Sequence, residues 1–207
     1  MTHLQRARVA LLVVTFGVAI GAQQRTPEEF AKFLEGAERV QRMQVPRVIE
    51  ALELKPGMHV ADLGSGSGLF TRPIARAVAP TGVAYAVDID DALLKIVAGS
   101  AKEARIDNIV IVHATATDSR LPAPVDLIFI CDTLHHIGNQ GPYLKGLRQH
   151  LKPGGRIAVI DFTERWPAGH ERMRYSLDQL DGWMKDAGFS RTRSYDWLEN
   201  SFFVFYE

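Results

Sequence analysis

The chain has 207 residues, and its 24 Lys and Arg balance 24 Asp and Glu, so that its formal net charge is zero. Hydrophobic residues make up 46% of the chain and charged residues 23%, which is the composition of a globular protein and excludes a disordered or fibrous one. The neutral balance argues against a protein that binds nucleic acid through a strongly basic surface. Cys131 is the single cysteine, which excludes an internal disulfide and a zinc cluster made of cysteines.

The first 22 residues differ in composition from the rest of the chain. They begin with His3, Arg6 and Arg8 and no acid, and residues 9–20 (VALLVVTFGVAI) are apolar. This pattern is typical of a secretory signal peptide, and the apolar run is shorter than the roughly 20 residues that cross a bilayer. We expect residues 1–22 to be a signal peptide or an N-terminal anchor of an exported protein, periplasmic or membrane-anchored. A cytoplasmic protein with a wrongly assigned start is the alternative.

Two helices are predicted next. Thr26, followed by a proline and two acids, forms the usual start of a helix, in which Phe30, Phe33 and Leu34 share one apolar face. The pattern predicts a second helix from about Pro46 to Leu52.

The middle of the chain alternates short apolar runs with helical patterns. The runs are continuous rather than alternating, which indicates strands buried on both faces of a parallel sheet; they are His59–Leu63, Val83–Val87, Asn108–His113, Val125–Cys131 and Arg156–Phe162. The helical patterns between them are Leu69–Val78, Asp91–Lys102 and Gly141–His150. Strands alternating with helices at this spacing predict an α/β fold with a doubly wound sheet.

The end of the chain breaks this alternation. A helix is predicted over Tyr175–Ala187, followed by strands at Arg191–Leu198 and Phe202–Phe205. Two strands this close together form an antiparallel pair, because a parallel return needs a long crossover. The sequence therefore predicts a mostly parallel, seven-stranded sheet with a C-terminal antiparallel pair, in one domain over residues 26–207.

The segment between the first of these strands and the helix after it is the most informative. It reads D-L-G-S-G-S-G from Asp62 to Gly68, at the edge where open α/β sheets bind ligands. Alternating glycines allow a tight turn and a close approach of the backbone to a ligand. A dinucleotide loop has the spacing G-x-G-x-x-G/A, whereas here Leu69 stands at the last position and Asp62 would repel a pyrophosphate. The loop therefore predicts a ligand with a cationic group and no phosphate.

Asp88 ends the second strand, about 20 residues beyond the loop. An acid at this place binds the ribose hydroxyls in dinucleotide folds, and the adjacent Ile89 can cover one face of an adenine ring. Acids here can instead cap the next helix, for which Asp90 and Asp91 are better placed. We assign Asp88 to a ribose and Asp90 or Asp91 to the cap.

These residues resemble those of the class I S-adenosylmethionine-dependent methyltransferases. The shared motifs are D-x-G-x-G-x-G at Asp62–Gly68, V-D-I at Val87–Ile89, L-K-P-G-G-R-I at Leu151–Ile157 and, also frequent in that family, L-H-H-I at Leu134–Ile137. The stretch Arg39–Pro46 is similar to the lead-in helix of small bacterial members that carry export signals. The resemblance covers residues 39–207, and its motifs specify the cofactor well and the acceptor poorly.

The resemblance implies which residues bind S-adenosylmethionine. Asp62 would lie near the methionine ammonium and Asp132 near the methionine or the acceptor, while Thr115 stands where the family often has an Asp that accepts from the adenine amino group. Thr115 lacks that charge, and Asp118 is the alternative acceptor. The full set of expected cofactor contacts is Asp62, Gly64, Ser65, Gly66, Gly68, Asp88, Ile89, Thr115, Ala116 and Asp132.

Candidate catalytic residues lie at the same sheet edge. Methyl transfer mainly requires alignment of the nucleophile, and a general base assists when the acceptor is a hydroxyl or an amine. The candidates are Asp132, His135, His136, Asp161 and His170. His135 is our first choice as a base or acceptor-orienting group, and His136 is expected to point elsewhere, into a helix contact. Asp132, His135 and His136 have a spacing that a metal tolerates but no fourth ligand, and we predict no metal site.

The resemblance implies an enzyme that transfers a methyl group to a small molecule, with S-adenosylmethionine as cofactor and no nucleic-acid partner. The charged loop over residues 163–174 follows the fifth predicted strand and is expected to overhang the pocket and select the acceptor. Membrane association is expected through residues 9–20 only. The alternatives are a module that binds S-adenosylmethionine without turnover and a nicotinamide-dependent oxidoreductase, against which Asp62 and Leu69 argue.

Overall fold

The computed structural model describes residues 25–207, which build one seven-stranded sheet. The strands are β1 (His59–Leu63), β2 (Val83–Asp88), β3 (Ile109–His113), β4 (Val125–Cys131), β5 (Leu151–Phe162), β6 (Arg191–Tyr195) and β7 (Ser201–Tyr206). Their order across the sheet is β3-β2-β1-β4-β5-β7-β6. Strands β1 to β5 pair in parallel, and β7 pairs antiparallel with both β5 and β6. The predicted fold class is confirmed.

Helices connect the parallel strands and precede them. Within residues 25–207 the α-helices are α1 (Pro27–Leu34), α2 (Ala37–Met43), α3 (Val45–Ala51), α4 (Thr71–Val78), α5 (Asp91–Glu103), α6 (Gln140–Leu147) and α7 (Leu177–Asp186). Short 3-10 turns occur at Leu134–His136, Arg148–His150 and Glu171–Met173. Helix α2 overlaps the stretch Arg39–Pro46, whose sequence is similar to a lead-in helix.

The core has two parts, one on each face of the sheet. Because successive side chains of a strand point to opposite faces, Ile128 and Ile130 of β4 pack with helices α6 and α7, whereas Leu127 and Phe129 pack with α3 and α4. All four side chains are buried. Burial on both faces is why the strand sequences are continuously apolar rather than alternating.

Two strand boundaries differ by more than one residue from those predicted. Strand β5 begins at Leu151 rather than Arg156, because Val125 pairs with Leu151 and Leu127 with Arg156, so that residues 152–155 bulge opposite one residue of β4. Strand β6 ends at Tyr195 rather than Leu198. The chain turns away there, and Leu198 is buried in the core.

Helix α1 begins as predicted, and its two aromatic side chains lie at the surface of the protein. Thr26 caps it, and the Thr26 and Glu29 side chains each accept from the other residue's backbone N–H. Phe30 and Phe33 stack on each other, as residues of one face do, and are 37% and 53% exposed, so this face lies at the surface. Ala31 is the residue of α1 that is buried.

The described part of the chain has no helix that is both long and apolar enough to cross a membrane. The signal or anchor predicted at residues 1–22, and the membrane association predicted through residues 9–20, lie outside the described residues and stay predictions.

Candidate active site

The glycine loop leaves the carboxyl end of β1, between β2 and β4, where the strand order reverses. Ligands of open α/β sheets bind at this point. Gly64, Gly66 and Gly68 have backbone φ angles of 78°, 53° and 82°, which residues other than glycine rarely adopt. A Cβ at Gly64 would also overlap the side chain of Thr133, beyond β4. The three alternating glycines of the sequence are therefore required by the shape of the loop.

Asp88 holds this loop against the end of β2. Its Oδ2 accepts from the Gly66 N–H at 2.8 Å and its Oδ1 from the Asp90 N–H at 3.0 Å. Ile89 beside it is 61% exposed, so an apolar surface lies open next to the carboxylate. Asp90 caps α5 by accepting from the N–H groups of Ala92 and Leu93, which confirms that a neighbouring acid, rather than Asp88, is the cap.

Asp62 lies directly below the loop and is 3% exposed. Its Oδ2 accepts a hydrogen bond from the Thr71 hydroxyl at the start of α4. The pKa of Asp62 is raised to about 7, mainly because the group is removed from water and to a smaller extent because Asp88 is near, while the Thr71 hydrogen bond opposes the rise. The site therefore has a buried carboxyl group whose ionisation a nearby cation would favour.

The carboxylate of Asp132 forms two ion pairs that the sequence analysis does not predict. Its Oδ2 lies 3.1 Å from Arg39 Nη2 and 3.3 Å from Arg42 Nη2, both on α2. Its Oδ1 is buried and no other described residue donates to it. Asp132 thus faces the sheet edge as expected, but two arginines more than 80 residues away in the chain occupy one side of it.

Helices α1 and α2, which we call the covering segment, lie over the glycine loop. A Cβ built on Gly66 would come within 3.0 Å of Leu34 Cδ1. Arg39 donates to the Leu34 carbonyl at 3.1 Å, and Arg72 of α4 pairs with Glu35 at 2.6 Å. The covering segment is therefore attached to α4 through Glu35 and to Asp132, beyond β4, through Arg39.

His135 forms a buried pair with Asp161, which ends β5 next to β4. His135 Nδ1 lies 2.8 Å and 3.0 Å from the two Asp161 oxygens, and the Tyr175 hydroxyl donates to Asp161 Oδ2 at 2.8 Å. The backbone N–H of Phe162 donates to Asp161 Oδ1 at 2.9 Å. A carboxylate surrounded by donors is an acceptor, so His135 carries its proton on Nδ1 and leaves the Nε2 lone pair free.

Three aromatic rings cover His135. His136, His170 and Trp166 have ring centroids 4.1, 5.0 and 5.4 Å from that of His135. His136 therefore contacts His135, and the prediction that it points into a helix contact is wrong. Partial removal from water, together with the neighbouring His135 and His170 rings, lowers the pKa of His136 to about 4. Trp166 and His170 belong to residues 163–174, which confirms that this loop overhangs the predicted catalytic position.

Comparison with known proteins identifies the family. Residues 61–157 match the family model described as a methyltransferase domain. This range contains the glycine loop, Asp88 and His135. This range is a methyltransferase domain of the class I, S-adenosylmethionine-dependent type. The cofactor of such domains is S-adenosylmethionine, which argues against the alternative of a nicotinamide-dependent oxidoreductase.

The relatives of this methyltransferase agree with that assignment. The ubiquinone/menaquinone biosynthesis C-methyltransferase UbiE of Burkholderia vietnamiensis is 28% identical over 158 residues, 74% of this chain and 63% of that protein. The chain thus spans less than two thirds of the length of such relatives. A solved S-adenosylmethionine-dependent methyltransferase from Aquifex aeolicus superposes with a TM-score of 0.77 at 24% identity, over 88% of this chain and 98% of that one.

A second similar structure shows that the fold alone does not decide the chemistry. The [4+2]-cyclase SpnF superposes with a TM-score of 0.64 at 22% identity, over 75% of this chain and 59% of that one. The acceptor of this methyltransferase must therefore be argued from its own residues.

The residues of the glycine loop fit S-adenosylmethionine. The loop turns at positive φ without side chains at Gly64, Gly66 and Gly68. The hydroxyls of Ser65 and Ser67 are buried, and no described residue forms a hydrogen bond with either. A nucleoside with hydroxyl, carboxylate and ammonium groups supplies the partners that such atoms lack. The roles predicted for Asp62, Ser65, Asp88 and Ile89 are compatible with these positions.

Thr115 and Ala116 are less suited to the contacts predicted for them. The Thr115 hydroxyl donates to the Asp118 carbonyl at 3.3 Å, and the Thr115 N–H donates to the same oxygen at 2.9 Å. Asp118 Oδ1 in turn accepts from the Arg120 N–H at 2.9 Å. These bonds close a small turn after β3, in which Ala116 is exposed. The adenine contacts of these residues stay predictions.

Proposed function

We propose that the protein transfers the methyl group of S-adenosylmethionine to a small-molecule acceptor that loses a proton as it is methylated. The observation that carries the proposal is the His135–Asp161 pair, which lies at the carboxyl ends of β4 and β5, on the same edge of the sheet as the glycine loop. S-adenosylmethionine, when bound, supplies an activated methyl group. The chain's own residues have to align the acceptor and receive its proton.

Binding of the cofactor is assigned to the first two strand ends. Asp88, already placed by Gly66, would accept from the ribose hydroxyls, and the open side chain of Ile89 would pack on the adenine. Asp62 would lie opposite the methionine ammonium. Each role uses an atom or surface that the fold has left in position: a carboxylate at a strand end, an exposed apolar side chain and a buried acid.

Proton removal is assigned to His135. Because Nδ1–H donates to Asp161, Nε2 is the atom that can take a proton, and the adjacent carboxylate stabilises the imidazolium that results. Tyr175 and the Phe162 N–H hold Asp161 in place. A base positioned in this way contributes about 10²–10⁴-fold in rate, which favours an acceptor with a hydroxyl or an acidic C–H group.

Acceptor selection is assigned to the loop over residues 163–174. Trp166 lies edge-on to His135 and 5.6 Å from the Phe162 ring, which gives this side an aromatic surface suited to a planar acceptor. His135 Nε2 is enclosed beneath this loop, so the loop must move aside when the acceptor enters. The name of the UbiE relatives, which are C-methyltransferases, supports a carbon acceptor.

The test starts with cofactor binding and continues with transfer. Calorimetry with S-adenosylmethionine and its demethylated product should give binding in each case, and NAD should give none. Transfer of a labelled methyl group to a panel of phenols and hydroquinones should then identify the acceptor class. Binding of NAD alone would overturn the proposal, and cofactor binding without transfer to any panel member would favour the module without turnover.

The role of His135 has its own variants. His135→Ala should lower kcat by about 10²–10⁴-fold and leave cofactor affinity unchanged. Since His135 is buried, Asp161→Asn provides a second test: an Asn amide donates to Nδ1, moves the proton to Nε2 and removes the base while preserving shape. His150→Ala, in the turn before β5, is the control. Full activity in both variants would exclude His135 as the base.

A further inference from the structure

We propose that His135, His136 and His170 bind one divalent transition-metal ion such as Zn²⁺. The site would lie beneath the loop over residues 163–174, where the acceptor is proposed to enter. One ring nitrogen of each histidine lies within 4.8 Å of the other two. The sequence analysis considers Asp132 as the ligand beside His135 and His136, but Asp132 forms ion pairs with Arg39 and Arg42. The third ligand is His170, and only the fold brings it to the other two.

Asp161 prepares His135 to act as a ligand. Metal-binding histidines generally donate their second ring N–H to a carboxylate or a carbonyl, which fixes the tautomer and orients the ring. His135 has this arrangement, with Nδ1 2.8 Å from Asp161 Oδ1 and Nε2 directed away from it. A ring that was placed only for packing would not need a fully buried carboxylate behind it.

Two nitrogen atoms of the cluster are buried without a partner. No hydrogen bond from residues 25–207 reaches His135 Nε2 or His170 Nδ1. Buried polar atoms are generally paired, and an unpaired one calls for an explanation such as an ion. An ion bound to both atoms would satisfy them at once.

His136 gives the cluster its access to solvent, because it is the exposed member of the three. Its ring contacts both of the others, with centroids 4.1 Å from His135 and 4.9 Å from His170. Three neutral imidazoles suit zinc, and a fourth position then stays open for water or an acceptor atom, as in catalytic zinc sites.

The cluster must tighten when an ion binds. Zinc–nitrogen bonds of about 2.0–2.1 Å in a tetrahedron place ligand nitrogens about 3.4 Å apart, compared with separations of up to 4.8 Å here. His170 lies on the loop over residues 163–174, outside the strands, and a movement of that loop by somewhat more than an ångström would close the gap.

The inferred ion and the proposed general base use the same atom, His135 Nε2. A metal-loaded protein therefore cannot use His135 as a base, and an acceptor oxygen would instead be held by the ion. Metal binding does not depend on methyl transfer, and it is measured without cofactor or acceptor. If the metal test fails, the proposed function still stands. If the methyl-transfer test fails, the inferred metal site still stands.

The experiment uses untagged full-length protein. Calorimetry with Zn²⁺ and visible absorption with Co²⁺ should show one ion per chain and the strong absorption bands of tetrahedral nitrogen coordination. His136→Ala and His170→Ala, both outside the core, should each weaken binding by about tenfold or more, and Asp161→Asn by about 10–100-fold. The control variant, His150→Ala, removes a histidine from another part of the fold and should bind as the wild type does.

Two results would overturn the inference. One is wild-type affinity in the double variant His136→Ala/His170→Ala, which would place the ion elsewhere. The other is absence of one-to-one binding in the wild-type protein at neutral pH. A crystal soaked in Zn²⁺ decides the location directly: an anomalous peak between the three rings supports the site, and a peak only at other residues contradicts it.

Discussion

Asp88 is the single residue that connects the parts of the proposed cofactor site. Its two carboxylate oxygens accept from the N–H groups of Gly66 and Asp90 and so connect the glycine loop to the start of α5. The same carboxylate is expected to accept from a ribose. Loss of Asp88 is therefore expected to remove a contact with the ribose and to loosen the loop that carries the other expected contacts.

Asp88→Ala should weaken binding of S-adenosylmethionine by at least about tenfold, because a hydrogen bond to a charged group contributes about 1.5–3 kcal/mol. Calorimetry measures the change. Asp90→Ala is the matched control: it removes the cap of α5 and should lower the free energy of unfolding by about 1 kcal/mol while leaving cofactor affinity unchanged. If the two variants exchanged these effects, the assignment of the two acids would be wrong.

The residues of the cofactor side were readable from sequence because their signals are local. Asp62, the glycines and Asp88 follow strand ends that continuous apolar runs predict, and strand ends of a parallel sheet meet at one edge. The pairings of His135 with Asp161 and of Asp132 with Arg39 had no such signal. They join residues 26 and 93 positions apart through the order of strands and the return of α2 over the sheet.

Strands and helices also differ in how much of their structure the sequence predicts. Strands β1 and β4 have the predicted bounds, because burial on both faces leaves a continuous apolar run. In α1 the sequence predicts that Phe30 and Phe33 share a face, and they do stack on each other, but that face lies at the surface. Periodicity shows which residues share a face of a helix but not which surface that face meets.

The covering segment gives a prediction at the scale of an element. Arg39→Met keeps the apolar stem but removes the hydrogen bond to the Leu34 carbonyl and the ion pair with Asp132. We expect cleavage between α1 and α2 in limited proteolysis to become about fivefold faster, since about 1 kcal/mol of closure is lost.

Arg47→Met is the control for that experiment. Arg47, on α3, lies over the Trp197 ring with its guanidinium 4.2 Å from the ring centroid and makes no contact with Asp132. Cleavage of this variant should proceed at the wild-type rate. Equal cleavage of the Arg39 and Arg47 variants would mean that the two contacts of Arg39 do not hold the segment on the loop.

Asp62 affects the stability of the molecule as a whole. The pKa of this carboxyl is about 7 in the folded protein and near 3.8 when the chain is unfolded. The folded state therefore holds the proton more tightly, and the stability that this provides is complete below about pH 4 and is lost as the pH rises through about 7. The full effect is on the order of 4 kcal/mol.

Cofactor affinity should depend on pH in the opposite direction. A methionine ammonium opposite Asp62 favours the ionised carboxylate, so binding below about pH 7 releases the proton. The affinity for S-adenosylmethionine should rise by up to about tenfold per pH unit between about pH 5 and pH 7 and then level off. In the same range, the free energy of unfolding of the cofactor-free protein should fall relative to that of Asp62→Asn. Calorimetry and urea unfolding of both proteins measure the two slopes, and Asp62→Asn should show neither. Parallel pH profiles in the two proteins would mean that Asp62 is not the group through which the cofactor and the fold compete for a proton.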